Sequence, residues 1–181
     1  AGIPLMSMQI QYSLLDRRPE NGLAALCRQH DVALLCYGTV AGGFLSERWL
    51  GKPKPSEMEN RSLTKYGLII EEFGGWALFQ ELLATLARIA ATHGSDIASV
   101  ASRHVLDQPG VGAVIVGARN RAHLDANVKA AGLVLSAADK AAIAAVLARS
   151  AGPMGDTYTL ERDRSGRHGS IMKYNLNAKT A

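Results

Sequence analysis

Residues 111–127 contain the clearest candidate for ligand chemistry in the sequence. An apolar, mainly β-branched run over 111–116 ends at Gly117, and Arg119 and Asn120 then lead into a segment with helical character. This order predicts a buried strand whose carboxyl end opens onto a helix N-terminus. Unpaired backbone N–H groups, the positive end of a helix dipole and an arginine would meet there, which favours a bound phosphate. A strand-turn-helix unit that binds nothing is the alternative, because such units are common in α/β proteins.

A second glycine-bearing turn, residues 38–43, follows the apolar run 32–37. Neither turn has the Gly-x-Gly-x-x-Gly spacing of a dinucleotide-binding strand-turn-helix unit, and the sequence has no Gly-x-x-x-x-Gly-Lys-Ser/Thr loop. Barrels of the (β/α)8 type hold phosphate differently, with the loops after their last two strands and the N-terminus of a short extra helix. The two turns match that arrangement.

Other catalytic and metal-binding patterns are missing from the sequence. Histidines 30, 93 and 104 fall in helical segments without an acidic residue four positions away, which predicts structural or surface roles and no metal site. Neither a Gly-x-Ser-x-Gly nor a His-Glu-x-x-His motif occurs. Cys27 and Cys36 match neither a redox nor a zinc spacing, so we expect two buried free thiols in a reducing compartment.

The composition predicts one globular domain. The chain has 181 residues, of which 48% are hydrophobic and 20% charged, enough for a sizeable core. No window approaches the roughly 20 apolar residues of a membrane span, and no secretion signal is visible, so we expect a cytoplasmic protein. The formal charge of +4 comes from scattered residues. It does not select nucleic acid, and an anionic small ligand explains it equally well.

The elements that must hold the two turns follow a βα order. We predict strands over 3–15, 32–37 and 111–116, with the last two buried on both faces, and a long connection over 44–78 that is functional or carries small elements of its own. Helices are predicted from Pro19 to near His30 and over 79–93, 96–106, 121–131 and 137–149, with N-caps at Ser95 or Asp96 and at Ser136. This order indicates a parallel sheet. Three strands leave two sheet edges uncovered, and a complete (β/α)8 barrel needs about 250 residues, so we expect a part of a larger barrel.

Two polar regions complete the predictions. Asp16, Arg17 and Arg18 are expected to form a local ion-pair cluster at a strand end, with a functional role left open. Beyond a main region over 1–150, the polar residues 151–181 predict a loosely packed extension. The alternative is that its apolar and aromatic side chains dock on the body: Tyr158, Ile171, Met172, Tyr174 and Leu176.

Four blocks in the sequence resemble the carboxyl-terminal half of the aldo-keto reductase barrel. They are residues 9–18, 36–46, 101–111 and 114–119, the last followed by His123, Leu124 and Asn127. The blocks occur in family order and at family spacing over about residues 1–150. The resemblance implies a partial (β/α)8 TIM barrel whose strands are the sixth, seventh and eighth, with NADP(H) as cofactor.

The resemblance also implies a role for each matched residue. Gln9 corresponds to the glutamine that binds the nicotinamide carboxamide, and Tyr37 to the aromatic residue that stacks on the nicotinamide ring. Asn127 corresponds to the asparagine that contacts adenine, and His123 stands where many members have arginine or glutamine. Two glycine-bearing stretches would contact the phosphates: Gly38, Thr39, Val40, Gly42 and Gly43 at the pyrophosphate, and Gly117, Ala118 and Arg119 at the 2′-phosphate.

The implied activity is reduction of an aldehyde or ketone by hydride transfer from NADPH. In the family a tyrosine acts as general acid with a lysine, an aspartate and a histidine, all on earlier strands, and none of the four can be placed in this sequence. We therefore expect a portion of the enzyme that is inactive alone and is completed by the missing barrel half or by self-association through sheet edges. A non-catalytic nucleotide-binding or regulatory subunit, and a scaffold without ligand, are the alternatives.

Overall fold

The structure is a computed structural model that describes residues 3–117, 121 and 124–172. Three strands alternate with helices in the described part of the chain. The strands are β1 (Ser7–Gln11), β2 (Ala33–Tyr37) and β3 (Val111–Ile115). The helices are α1 (Leu23–Gln29), α2 (Arg61–Phe73), α3 (Gly75–Thr92), α4 (Ile97–Leu106), α5 (Leu124–Gly132), α6 (Ala137–Leu147) and α7 (Thr159–Arg162).

The strands form one parallel sheet in the order β1-β2-β3. Gln9 pairs with Leu35 and Gln11 pairs with Tyr37 across β1 and β2, while Tyr37 pairs with Ile115 of β3. The predicted parallel sheet is confirmed. All three strands therefore end at the same edge of the sheet, where the turns that follow them lie side by side.

Helices α1 and α4 pack along one face of this sheet. On the other, called here the uncovered face, α2 reaches only the carboxyl end of β1, where it contacts the buried Gln11 through Lys65 and Tyr66. The covered face is built from buried side chains of the strands, of α1 and of α4: Ile10, Leu34, Cys36, Cys27 and Val105. On the other face Leu35 is half-buried and Ile115 is 43% exposed. The prediction that β2 and β3 are buried on both faces is therefore wrong. An apolar sequence allows a strand to be buried on both faces, but it does not show that other elements pack on both.

The first strand is shorter than predicted. Residues 3–6, which were predicted to belong to the strand, are exposed, including Ile3 and Leu5. After Gln11 the chain turns, because the Ser13 hydroxyl accepts the backbone N–H groups of Leu15 and Asp16 at 3.2 and 3.1 Å. This turn places the side chains of Leu14 and Leu15 in the main core.

The predicted connection over 44–78 contains a full helix, α2. Its N-cap is Asn60, whose side chain accepts the N–H of Leu63 at 3.0 Å, and Gly74 ends it at φ 138°. The glycines and prolines of this segment obscured the helical spacing of its buried face. That face consists of Leu63, Tyr66, Ile69, Ile70 and Phe73.

The later helices follow their sequence signals closely. Asp96 caps α4 by accepting the N–H of Ser99 at 2.7 Å, and Ser136 forms a capping box with Asp139 at the start of α6. Pro19, by contrast, lies in a short 3₁₀ turn, and α1 begins only after Gly22. The expected helix from Pro19 is thus two separate elements.

Several absences apply to residues 3–117, 121 and 124–172. No single helix there is long and apolar enough to cross a membrane, and the one pair that passes by length and composition together, α5 with α6, is bent by 106°. No three His, Cys, Asp or Glu side chains of this part form a group that would hold a metal ion. Cys27 and Cys36 are buried free thiols, as predicted, and burial raises the pKa of Cys36 to about 12.

The predicted loose packing of the extension is wrong for residues 151–172. Glu161 and His168 are only 6% and 5% exposed, and the N–H of Ala151 donates to the carbonyl of Phe73 at 3.2 Å. The contact of Ala151 with Phe73 spans 78 positions and that of Glu161 with Arg18 spans 143, so local polarity in the sequence did not indicate them.

Candidate functional site

Gln9 and Tyr37 lie on the uncovered face near the carboxyl ends of neighbouring strands. Gln9 pairs with Leu35, two residues before Tyr37, and side chains two apart in a strand share a face. Gln9 is exposed and Tyr37 is half-buried. The pairing thus brings together the two side chains predicted to meet a nicotinamide.

A tyrosine from the extension joins this pair. The hydroxyl oxygens of Tyr37 and Tyr158 are 3.2 Å apart, and the Tyr158 hydroxyl donates to the backbone carbonyl of Gln9 at 3.4 Å. Burial raises the pKa of Tyr37 above its ordinary value, and the hydrogen bond to Tyr158 raises it further. The raised pKa makes Tyr37 a weaker proton donor than an ordinary tyrosine, so the side chain offers an aromatic surface and not a poised general acid.

The glycine turn after β2 packs tightly against α2. Gly38 and Gly42 have φ of 71° and 66°, in the left-handed region. A Cβ on Gly38 would lie 2.2 Å from the Tyr66 hydroxyl, and one on Gly42 would lie 2.7 Å from Oγ of Ser62. The absent Cβ atoms at these two positions make room for α2, whereas the sequence reasoning assigned that space to a ligand. At Gly43 a Cβ would meet nothing within 4 Å.

The remaining residues of the turn hold it to the body. Thr39 is 1% exposed, and its Oγ1 lies 3.1 Å from Oγ of Ser102 in α4. The carbonyl of Val40 accepts the N–H groups of Gly43 and Leu45 at 2.9 and 3.2 Å. The backbone of this turn is therefore fixed by its own hydrogen bonds and by two helices.

A buried polar cluster lies beside Tyr37. The guanidinium of Arg18 donates to both oxygens of Asp16 at 2.9 and 2.7 Å and to both oxygens of Glu161 at 3.0 and 2.8 Å. Gln11 donates to Asp16 at 2.6 Å and accepts from the ammonium of Lys65. The predicted ion pair between Asp16 and Arg18 is present, and Glu161, 143 positions from Arg18, completes it.

The charges of this cluster balance. Two carboxylates, Asp16 and Glu161, face two cations, Arg18 and Lys65. Burial raises the pKa of Glu161, but the hydrogen bond and charge of Arg18 outweigh it, so the pKa lies below its usual value. Burial lowers the pKa of Lys65, and the nearby carboxylates oppose that shift. Opposite charges and hydrogen bonds within the cluster thus offset the cost of burying its charged groups.

His93 and His104 have structural surroundings. Nε2 of His93 lies 2.9 Å from Oδ2 of Asp139, which links α3 to α6. Burial lowers the pKa of His104 to about 4, so its ring is neutral near pH 7. The partner of His93 is 46 positions along the chain, so no local spacing indicated this contact.

Only part of the predicted phosphate site at the end of β3 is described. A Cβ on Gly117 would meet nothing within 4 Å, and Asn127 is half-buried in α5. Ala118, Arg119 and His123 lie outside the described residues.

Sequence reasoning did not assign Lys65, Tyr66 or Glu161 to this region. No short spacing links them to Gln9 or Tyr37, because each reaches the site from an element far along the chain. Tyr158 was an expected docking residue, and its contacts confirm that alternative. The only signal in the local sequence for this docking was Tyr158 itself, an aromatic residue within a polar segment.

Known proteins resemble this chain in sequence. The sequence model of the Aldo/keto reductase family matches residues 1–148. Protein tas of Escherichia coli (strain K12) is 32% identical over 132 residues, which are 73% of this chain and 37% of that protein. The chain spans between 21% and 43% of the length of the curated relatives it matches.

Solved structures resemble it in fold. The glycerol dehydrogenase from Gluconobacter oxydans matches with a TM-score of 0.67 and 23% identity, over 86% of this chain and 46% of that one. The aldo-keto reductase from Klebsiella pneumoniae in complex with NADPH matches with a TM-score of 0.55 and 20% identity, over 84% and 42%. The predicted partial TIM barrel is confirmed, since the chain covers part of such barrels. With the family match over residues 1–148, the chain belongs to the aldo/keto reductase family.

Proposed function

We propose that the chain binds NADP(H), with the nicotinamide between Gln9 and the ring of Tyr37. The observation that carries the proposal is the common placement of these side chains on the uncovered face, near the carboxyl ends of two adjacent parallel strands. Ligands of barrels and open parallel sheets bind at that end of the strands. A matched solved structure is a complex with NADPH, which supports the same class of cofactor.

The pyrophosphate would lie along the turn 38–43. The open side at Gly43 and the exposure of Gly42 leave main chain accessible there, while the contacts of Thr39 hold the turn rigid. A rigid backbone binds an anion without first paying the cost of ordering a loop. The 2′-phosphate would be bound by Gly117, Ala118 and Arg119, and the adenine by Asn127, with His123 nearby.

In the intact enzyme the bound cofactor would transfer hydride to an aldehyde or ketone. By the family resemblance, the general-acid tyrosine with its lysine, aspartate and histidine lies on strands that precede the three present here. We propose that this chain alone holds cofactor without reducing carbonyls. The raised pKa of Tyr37 supports this view, since a phenol so shifted is a poor proton donor.

Arg119→Ala tests the cofactor assignment. The variant should weaken NADPH binding by about 1–3 kcal/mol, because a charge-assisted contact to the 2′-phosphate is lost. NADH lacks that phosphate, so its affinity should not change. Quenching of intrinsic fluorescence during titration with each cofactor measures both dissociation constants.

Arg88→Ala is the matched control, because Arg88 is an exposed arginine of α3, a helix that packs against α2, α4 and α6. It should leave both affinities at the wild-type value. Equal losses for NADPH and NADH in Arg119→Ala would refute the 2′-phosphate assignment. A folded wild-type chain that shows no quenching at saturating NADPH would refute the proposed function itself.

A further inference from the structure

One hydroxyl group of the extension contacts both candidate nicotinamide residues. The Tyr158 hydroxyl donates to the backbone carbonyl of Gln9 at 3.4 Å and lies 3.2 Å from the hydroxyl of Tyr37. Because the single Tyr158 proton goes to Gln9, the Tyr37 hydroxyl is the donor in the second contact. Through Tyr158, two consecutive hydrogen bonds therefore link the hydroxyl of Tyr37 to the backbone of β1.

Tyr37 and Tyr158 meet through their hydroxyl groups. In the part of the chain that the structure describes, the close ring pairs join Phe44, Trp49, Trp76 and Phe79, and none joins Tyr37 to Tyr158. Hydroxyl-to-hydroxyl contact restricts the ring without stacking on it. Tyr158 thus does not itself occupy a face of the Tyr37 ring.

The segment around Tyr158 is anchored on both sides. Before it, the side-chain amide of Asn21 donates to the carbonyl of Gly155 at 2.8 Å. After it, Glu161 binds the buried Arg18 through two hydrogen bonds. Arg162 lies over the Tyr158 ring, with 5.9 Å between its guanidinium carbon and the ring centroid.

The backbone of Tyr158 shows that this placement is imposed. Its φ of 67° lies in the left-handed region, which non-glycine residues seldom adopt. Such a conformation persists only where surrounding contacts hold it. The anchors at Asn21 and Arg18 supply those contacts.

We propose that Tyr158 is a positioning residue that orients the Tyr37 ring for stacking on the nicotinamide. The proposal rests on the proposed NADP(H) function and extends it to the extension, residues 151–172. A ring whose tip is already fixed loses less conformational freedom when the cofactor arrives, so the cofactor binds more tightly. The effect concerns the nicotinamide, which NADPH and NADH share.

Tyr158→Phe, which keeps the ring and removes the hydroxyl, tests this role in the full chain. Its dissociation constants for NADPH and NADH should both rise, by about threefold to tenfold, because the hydrogen bond that holds the Tyr37 hydroxyl is lost. Tyr37→Phe should raise them similarly. The double variant should bind the cofactors no worse than Tyr158→Phe, because that single variant already removes the contact between the two hydroxyls.

Tyr12→Phe is the matched control, because the Tyr12 ring packs with Ile10 and Cys36 on the opposite face of the sheet, where its hydroxyl donates to Glu20 at 2.7 Å. The substitution keeps the backbone N–H that donates to the Tyr37 carbonyl. It should leave cofactor affinity unchanged. A cofactor-free readout uses 3-fluorotyrosine, whose ¹⁹F resonance at Tyr37 should shift in Tyr158→Phe and stay in place in Tyr12→Phe. Circular dichroism confirms that each variant is folded.

The outcomes separate the two proposals. Wild-type binding of NADPH with unchanged affinity in Tyr158→Phe, or with losses that add in the double variant, would overturn the positioning role alone. An unmoved Tyr37 resonance in Tyr158→Phe would also overturn it. Failure of the folded wild type to bind NADPH would refute the proposed function, and the positioning role with it.

Discussion

Glu161→Ala should loosen the extension and destabilise the whole chain. The substitution removes one of the two carboxylates that form ion pairs with Arg18, whose side chain is 1% exposed. Asp16 keeps its own contacts with Arg18 at 2.7 and 2.9 Å, so the guanidinium retains half of its partners. The buried cluster is left with two cations, Arg18 and Lys65, and one anion.

The expected loss follows from burial. Breaking a buried ion pair from one side costs about 3–5 kcal/mol, because a charge remains without full compensation. Since Asp16 stays in place, we expect the lower end of that range, about 3 kcal/mol. The pH dependence has a definite sign: the pKa of Glu161 is lowered in the folded state, so its stabilisation is present above the ordinary carboxyl pKa and is lost as pH falls through the lowered value.

Urea unfolding followed by circular dichroism measures this loss, and limited proteolysis of residues 151–172 reports on the extension. Glu81→Ala is the matched control, because Glu81 also binds an arginine, Arg149, through two contacts but at the exposed surface. Exposed pairs contribute little, so the control should unfold like the wild type. Equal unfolding curves for Glu161→Ala and Glu81→Ala would refute the argument from burial.

Two further predictions concern His104 and the glycine turn. Because burial lowers the pKa of His104 to about 4 from 6.5, the unfolded chain binds its proton first on acidification, and stability should fall by roughly 3 kcal/mol from pH 6.5 to 4. His104→Gln should reduce that slope in urea unfolding at several pH values, and an unchanged slope would contradict the assignment. Gly38→Ala should cost about 1–3 kcal/mol more than Gly43→Ala, since both have positive φ but only the former meets Tyr66. Equal losses in thermal unfolding would show that the packing of α2 on the turn is not responsible.

The sequence by itself determined the local elements and the class of fold. The βα order predicted a parallel sheet, and the cap residues Asp96 and Ser136 marked the starts of α4 and α6, because capping depends on residues three positions apart. The family blocks identified Gln9 and Tyr37 as residues of one site, and their shared face agrees with that interpretation. The roles assigned to them remain predictions.

Only the tertiary structure decided which surfaces are covered and which distant groups meet. The apolar runs of β2 and β3 did not reveal that one face of these strands is left partly exposed, because burial depends on which elements pack on the strand and not on the strand's own sequence. The polarity of residues 151–172 hid their docking, because Glu161 and Tyr158 find Arg18 and Tyr37 more than a hundred positions away. The residues around the candidate cofactor site are joined by contacts of this kind, which no local pattern encodes.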